Sequence, residues 1–387
     1  MKNIFKLLAF LPLLTACDDL FEPALENNRD LEAMYKEPSY AQGILANAYI
    51  ILPYETSPTS DLATDDAVTN EISSNYLRMA TGSWTANNNP VSQWQNRFNA
   101  IQYINLFLEN VDKVEWAKDE RISTMFLDRL KGEAYGLRAL HMYYLLRAHG
   151  GKIADGTLMG VPIILKSEGP DADFNHARAT YSDCVKQIME DADKAIELLP
   201  LDYKKFADSE IPEKYKNIGV TNASDYRRVC GEEYRGLMSG RIALAVRAQT
   251  ALLAASPAFQ SGSGMTWEQA ADYAAEIIEK ANGGGGCGLD ADGLEWYTLA
   301  DKDYGTGGSP AEVIWRSSTD DNNTLETANF PPSLYGNGRV NPTQNLVDAF
   351  PMANGYPISE TSGNYDAENP YDNRDPRLAK YIVYNGS

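Results

Sequence analysis

The chain has 387 residues, 54 acidic against 34 basic side chains, a formal charge of −20 at pH 7, and 43% hydrophobic and 10% aromatic residues. That is ample material for a core, and the length is long for a single domain at roughly 150 residues each. A field of this sign repels phosphate backbones and anionic lipid surfaces, which disfavours nucleic acid as a partner and suits a neutral ligand or a large protein partner.

At the N-terminus, Lys2 and Lys6 flank the start of an apolar run from Leu7 to Leu14, followed by the small residues Thr15 and Ala16 and then Cys17. This order of charged, apolar and small residues reads as a secretory signal over residues 1–16. It is too short for a membrane span, which takes about 20 apolar residues. The Leu14-Thr15-Ala16-Cys17 ending resembles the bacterial lipobox, which makes Cys17 the expected acylated residue of a membrane-tethered protein outside the cytoplasm. Cys184, Cys230 and Cys287 remain, an odd number that excludes a fully paired disulfide framework. Cys184 is expected to pack inside a helix, and a Cys230–Cys287 bridge is left open.

Further along the chain the periodicity is helical. Trp94, Phe98, Ile101, Asn105, Leu108 and Val111 form one stripe. Ile122, Phe126, Leu130, Ala134, Leu137, His141, Tyr144 and Ala148 form a second, on a helix of about thirty residues stopped by Gly150-Gly151. A third helix begins at Thr180, paired with Asp183 in a capping-box-like arrangement. It turns Ile188, Ala192, Ala195 and Leu199 inward before Pro200 ends it. An alanine-rich helix over 243–255 follows, and then one from about Trp267 to Ala281 with Ala270, Ala274, Ile277 and Ile278 apolar. Helices joined by short turns suggest a bundle or α-solenoid. No clean 34-residue repeat is present, although Gly132 and Tyr135 fit the glycine–tyrosine pair of a tetratricopeptide unit. From Gly283 to Gly286 onward the texture changes to Gly-, Pro-, Asn- and Asp-rich chain with short strand-like pieces at 313–315 and 381–384. The predicted fold is therefore mainly α, with a helical region over 17–281 and a loop-rich, irregular segment over 282–387.

Several motifs fail on their physics. Gly283, Gly285 and Gly288 match a dinucleotide fingerprint in spacing, but follow a helix where a strand is needed. Asp290, Asp292 and Gly293 resemble part of a calcium loop whose twelfth position is Leu299 where Glu is needed. Of the three histidines, His141 lies on an apolar stripe and reads as a core residue. Acidic pairs such as Asp65-Asp66 and Asp320-Asp321 are expected by chance in so acidic a chain. No catalytic residues, metal ligands or cofactor are predicted.

One set of residues resembles a known family. Asn341-Pro342-Thr343-Gln344-Asn345-Leu346-Val347-Asp348-Ala349-Phe350 precedes Asn354-Gly355-Tyr356-Pro357-Ile358 and then Asn373-Arg374-Asp375-Pro376-Arg377-Leu378. Gly132-Glu133-Ala134 with Leu137-Arg138-Ala139, Gly160-Val161-Pro162-Ile163, Ser83-Trp84 and Glu312-Val313-Ile314-Trp315 belong to the same set. The chain resembles the SusD/RagB family of nutrient-uptake outer-membrane lipoproteins. The resemblance implies a tetratricopeptide-like helical scaffold supporting a loop-rich binding half. It also implies a partner, a SusC-like TonB-dependent outer-membrane transporter, and an oligosaccharide or polysaccharide ligand, with peptides bound by some members. Asp18-Asp19 resembles the acidic tag that sends such lipoproteins to the cell surface. Chains of this family continue well past the Arg-Asp-Pro-Arg motif, so the C-terminal part is expected to be missing here, with exposed apolar surface and lower stability as consequences.

Within that frame Arg374, Asp375 and Arg377 read as structural, with Asp-Pro starting a turn and the arginines pairing with carboxylates. Trp84 lies outside any helix beside Asn87, Asn88 and Asn89, where an indole face can stack on a sugar while amides reach its hydroxyls. Packing and sugar contact both stay open for it. The candidate ligand residues are Trp84, Asn87, Asp66, Tyr304, Phe330 and Tyr335, expected to converge on one outward surface. The favoured function is glycan capture without catalysis. A glycan-cleaving surface enzyme and a peptide-binding member of the same family are the alternatives.

Overall fold

The computed structural model of the chain describes residues 32–53, 60–85, 87–280, 312–317, 322–384 and 386. Cys17, Cys287, Tyr304 and the glycine and aspartate motifs between 283 and 293 lie outside the described residues. In chain order the principal elements are α1 (Pro38–Ile50), β1 (Ala67–Thr69), α2 (Asn75–Ala80), α3 (Trp94–Asn110), α4 (Glu120–His149), β2 (Gly151–Lys152), β3 (Leu158–Met159) and α5 (Tyr181–Leu198). They continue with α6 (Ala223–Cys230), α7 (Gly240–Ala255), α8 (Trp267–Lys280), α9 (Thr324–Asn329), β4 (Val340–Pro342), α10 (Gln344–Ala349) and α11 (Pro376–Tyr381). The fold is mainly helical.

Local chemistry sets the helix ends. The Asp119 carboxylate accepts from the Arg121 backbone N–H to start α4, and the helix stops where Gly150 turns extended. Thr180 caps α5 by accepting from the Asp183 N–H at 3.1 Å, while its hydroxyl donates to the Asp183 carboxylate at 2.6 Å. Pro257 holds Ser256 in an extended conformation and ends α7.

The helices stack largely in sequence order, α1 on α3, α3 on α4, α4 on α5, α5 on α7, and α7 on α8. Between them lies one continuous core that includes Ile104, Phe107, Leu137, Leu145, Ile188 and Ala251. At Gly132 a Cβ would come within 2.6 Å of Leu199 Cγ, so α4 and the end of α5 meet at backbone distance. Cys184 and Cys230 are buried thiols, and the Cys184 Sγ donates to the Val161 carbonyl at 3.3 Å.

Three expectations need correction. On α3 the predicted Ile101 and Asn105 are buried, but the buried face also takes in Arg97, Ala100, Ile104 and Phe107, whereas Trp94 is 43% exposed; the predicted stripe covers part of the true one. On α8 Ala270 is buried while Ile278 is exposed, so that stripe covers only part of the core. The pieces at 313–315 and 381–384 form no strands. Residues 313–317 are irregular, and Trp315 packs on the core and donates its indole N–H to the Gly236 carbonyl at 2.8 Å. Tyr381 closes α11, and Ile382 fills a small separate cluster with Val347 and Leu378. In both places apolar side chains anchor irregular backbone without a pairing strand. The strand of this region is β4, which pairs antiparallel with β1 in the register Ala67↔Pro342, Val68↔Asn341, Thr69↔Val340.

Candidate functional site

The β1–β4 ladder joins two segments 271–275 residues apart in sequence and gathers half of the predicted ligand residues. At one end the Thr343 N–H donates to the Asp66 carbonyl at 2.8 Å, and the Thr343 hydroxyl to the Asp65 carbonyl. At the other end Asn70 donates to the Asn337 carbonyl at 3.0 Å and accepts from Arg339 at 3.1 Å. Asn337, Gly338 and Arg339 in turn bond back to Thr327, Phe330 and Ala328. Asp66, Phe330 and Tyr335 therefore belong to one framework. Phe330 is 41% exposed and Tyr335 96% exposed.

Tyr335 has φ +64, a left-handed conformation that disfavours a bulky residue. The reason is the tight turn after Pro331-Pro332. The Tyr335 and Gly336 N–H groups donate to the Pro332 and Pro331 carbonyls, and Gly336 lies so close to Phe330 that a Cβ would be 2.0 Å from its carbonyl oxygen. Strained backbone of this kind, presenting a wholly exposed aromatic, is a marker of binding loops.

Trp84 and Asn87 occupy a second loop, between α2 and α3. Gly82 at φ +68 turns the chain, and the Ser83 N–H donates to the Arg78 carbonyl at 2.8 Å. Thr85 and Asn88 then exchange backbone hydrogen bonds, which places Asn87 in an exposed tight turn beside Trp84, itself 47% exposed. The turn at Ser60–Ala63 packs on both α2 and β1 and so links the two loops. Trp84 makes no ring stack with Phe330 or Tyr335. Their convergence on a single ligand is not given by direct contact.

Beside the Trp84 loop lies a polar cleft of about 320 Å³, walled by α2, α3, the end of α4 and the Ser60 turn. Its lining includes Ser60, Gln93, Asn96, Tyr144 and two arginines, Arg97 and Arg147. Arg147 lies over the Tyr144 ring at 4.6 Å. Arg97 is 2% exposed and its Nη1 donates to His141 Nδ1 at 3.1 Å. The other ring nitrogen, His141 Nε2, donates to the Ala48 carbonyl at 3.1 Å, which fixes the neutral tautomer. Burial, reinforced by Arg97, lowers the His141 pKa to about 3, and burial lowers that of Arg97 to about 10. Both effects leave the histidine neutral and the arginine charged at neutral pH. Arg97 gave no sequence signal because an arginine beside an apolar stripe reads as a solvated charge.

The Asn-Arg-Asp-Pro-Arg run is structural. Arg374 is 7% exposed and donates to the carbonyls of Val347, Phe350 and Pro370, which corrects the expectation of a carboxylate partner. Arg377 does pair with a carboxylate, Asp375, at 2.7 Å, and Asp375 also caps α11. Among the described residues no group of His, Cys, Asp and Glu is placed to hold a metal ion, and no helix is long and apolar enough to cross a membrane.

Two family models match the chain. One, described as starch-binding and associating with the outer membrane, covers residues 25–214, and the other, the SusD family, covers residues 311–387. The chain belongs to the SusD/RagB family. No curated protein sequence matches it. A SusD-like protein from Bacteroides fragilis superposes with a TM-score of 0.65 at 19% identity, covering 95% of this chain and 64% of that one. A SusD-like carbohydrate-binding protein from the same species gives 0.60 at 20% identity, with coverages of 92% and 61%. A SusD superfamily protein from Bacteroides vulgatus gives 0.55 at 18% identity, with coverages of 81% and 62%. The chain thus spans less than two thirds of the length of each, and at these identities the likeness concerns the fold.

Proposed function

We propose that this protein is a cell-surface glycan-binding lipoprotein that captures oligosaccharides and delivers them to a SusC-like TonB-dependent outer-membrane transporter. In this reading Cys17 carries the lipid after removal of residues 1–16, the helical region over 17–281 is the scaffold, and residues 282–387 complete the binding half. The ligand is bound and not cleaved.

The observation that supports it most is the pairing of a SusD-family scaffold with two loops that hold Trp84 and Tyr335 in solvent, each beside exposed polar groups. An exposed ring next to amides suits a pyranose, which presents an apolar face and a rim of hydroxyls. The test is an affinity screen of the chain against defined polysaccharides, with product analysis on the same samples. Binding of at least one polysaccharide with no shortening of it is the expected result. Cleavage would instead support an enzyme, and binding of peptides alone would support the peptide-binding reading.

A further inference from the structure

The cleft beside the Trp84 loop holds positive charge that no described residue of its lining neutralises. Other buried arginines of this chain have oxygen acceptors, Arg129 and Arg138 the carboxylates of Glu133 and Asp191, and Arg374 the carbonyls of Val347, Phe350 and Pro370. Among the described residues Arg97 has neither, and its one side-chain hydrogen bond goes to the His141 ring. What acts on its charge is burial, together with the Tyr144 hydroxyl, and its Nε has no hydrogen-bond partner. Arg147 contributes a second, exposed guanidinium 4.6 Å from the centre of the Tyr144 ring, and no carboxylate of the described chain lines the cleft. A buried cation left in this state is costly unless an anion arrives to meet it.

The remaining lining narrows the ligand. Ser60, Gln93 and Asn96 offer hydroxyl and amide groups that suit sugar hydroxyls. The volume is at the small end of ligand pockets, which run about 300–1,000 Å³, and fits an end residue better than a threaded polymer. Both helices that flank the Trp84–Asn87 turn, α2 and α3, also wall the cleft, so the turn and the cleft share their supporting elements. The overall negative charge is screened over about 8 Å at physiological ionic strength, so the two arginines dominate inside the cleft.

We propose that the Arg97–Arg147 cleft is a carboxylate subsite that receives a uronic acid residue of an acidic oligosaccharide. The guanidinium forks supply paired donors to the carboxylate, and the Trp84 loop holds the adjoining sugar. The proposal rests on the glycan-binding reading and gives it a substrate class.

The experiment is isothermal titration calorimetry of the full chain with oligosaccharides of galacturonate, glucuronate and guluronate, each beside its carboxyl-reduced neutral counterpart. Neutral glycans and an oligoglutamate peptide complete the panel. At least one uronate should bind, weaken by about tenfold or more on carboxyl reduction or in Arg147→Gln, and weaken further as salt is raised. Arg147 is exposed, so that variant should keep the wild-type circular dichroism spectrum. Equal binding of the reduced sugar, unchanged affinity in Arg147→Gln, equal binding of oligoglutamate, or no uronate binding would each overturn the proposal. Glu55 is the carboxylate of the stretch 54–59 that joins Pro53 to Ser60 and lies outside the described residues. Uronate binding seen only in Glu55→Gln would mean that the chain neutralises its own arginines and would also overturn it. Neutral glycans binding while uronates fail leaves the glycan-binding reading standing; if neither binds, both readings fall.

Discussion

His141 shows how the interior of α4 converts titratable side chains into fixed hydrogen-bonding parts. It is completely buried between the Arg97 guanidinium and the Ala48 carbonyl, and its pKa falls from 6.5 to about 3. The unfolded chain therefore takes up a proton below pH 6.5 that the folded protein refuses. Stability is full above pH 6.5 and is lost as pH falls toward 3, at about 1.4 kcal/mol per pH unit from this residue. Urea titrations at pH 7 and pH 5 should show the slope in the wild type and a flatter one in His141→Gln; parallel slopes would contradict the burial argument. Asp191 sets a different residue-scale constraint. It is fully buried and binds Arg138 through two hydrogen bonds of 2.7 and 2.8 Å, while Arg138 also donates to Asn105 at 3.0 Å. Asp191→Asn leaves the arginine charge uncompensated and should cost about 3–5 kcal/mol in the urea midpoint analysis.

At the scale of elements, the close approach of α4 to the end of α5 depends on the missing side chain at Gly132. Alanine there gains up to about 1 kcal/mol of helix propensity but pushes on Leu199, and overpacking costs about 1–3 kcal/mol. Gly132→Ala should therefore lower the melting temperature, and a rise would show that Leu199 moves aside without strain. The long helix, its stop at Gly150 and the Thr180 start of α5 were legible because punctuation and periodicity agree there, whereas the Asp119 cap was not read. On α3 they were not. The stripe through Trp94, Phe98 and Leu108 leaves out Arg97, Ala100, Ile104 and Phe107, yet these are buried and Trp94 is exposed, so the buried face is wider and differently centred than the apolar spacing suggests. Strand β4 escaped notice because its Val340-Asn341-Pro342 has no alternation, and its partner is 271–275 residues away.

At the scale of the whole molecule, the helical stack presents an irregular face built from segments 60–90 and 322–350, tied by the β1–β4 ladder. The aromatic half of the candidate site was legible, since Trp84, Phe330 and Tyr335 sit in Gly-, Pro- and Asn-rich turns and are exposed. The cationic half was not, because two arginines fifty residues apart on different helices leave no local pattern and become neighbours of one cleft only through packing. Sugar sites on open loops share their affinity among several modest contacts.

The most direct measurement is the affinity of the wild type, Trp84→Ala, and Trp84→Ala combined with Tyr335→Ala for a polysaccharide that the screen identifies, with circular dichroism on the same samples. Each ring is worth roughly 0.5–1.5 kcal/mol, so the single variant should bind about two- to tenfold more weakly. The double variant should lose most of the binding, with the helical spectrum unchanged. Wild-type affinity in the double variant, or no polysaccharide bound by the wild type, would contradict glycan capture by this face.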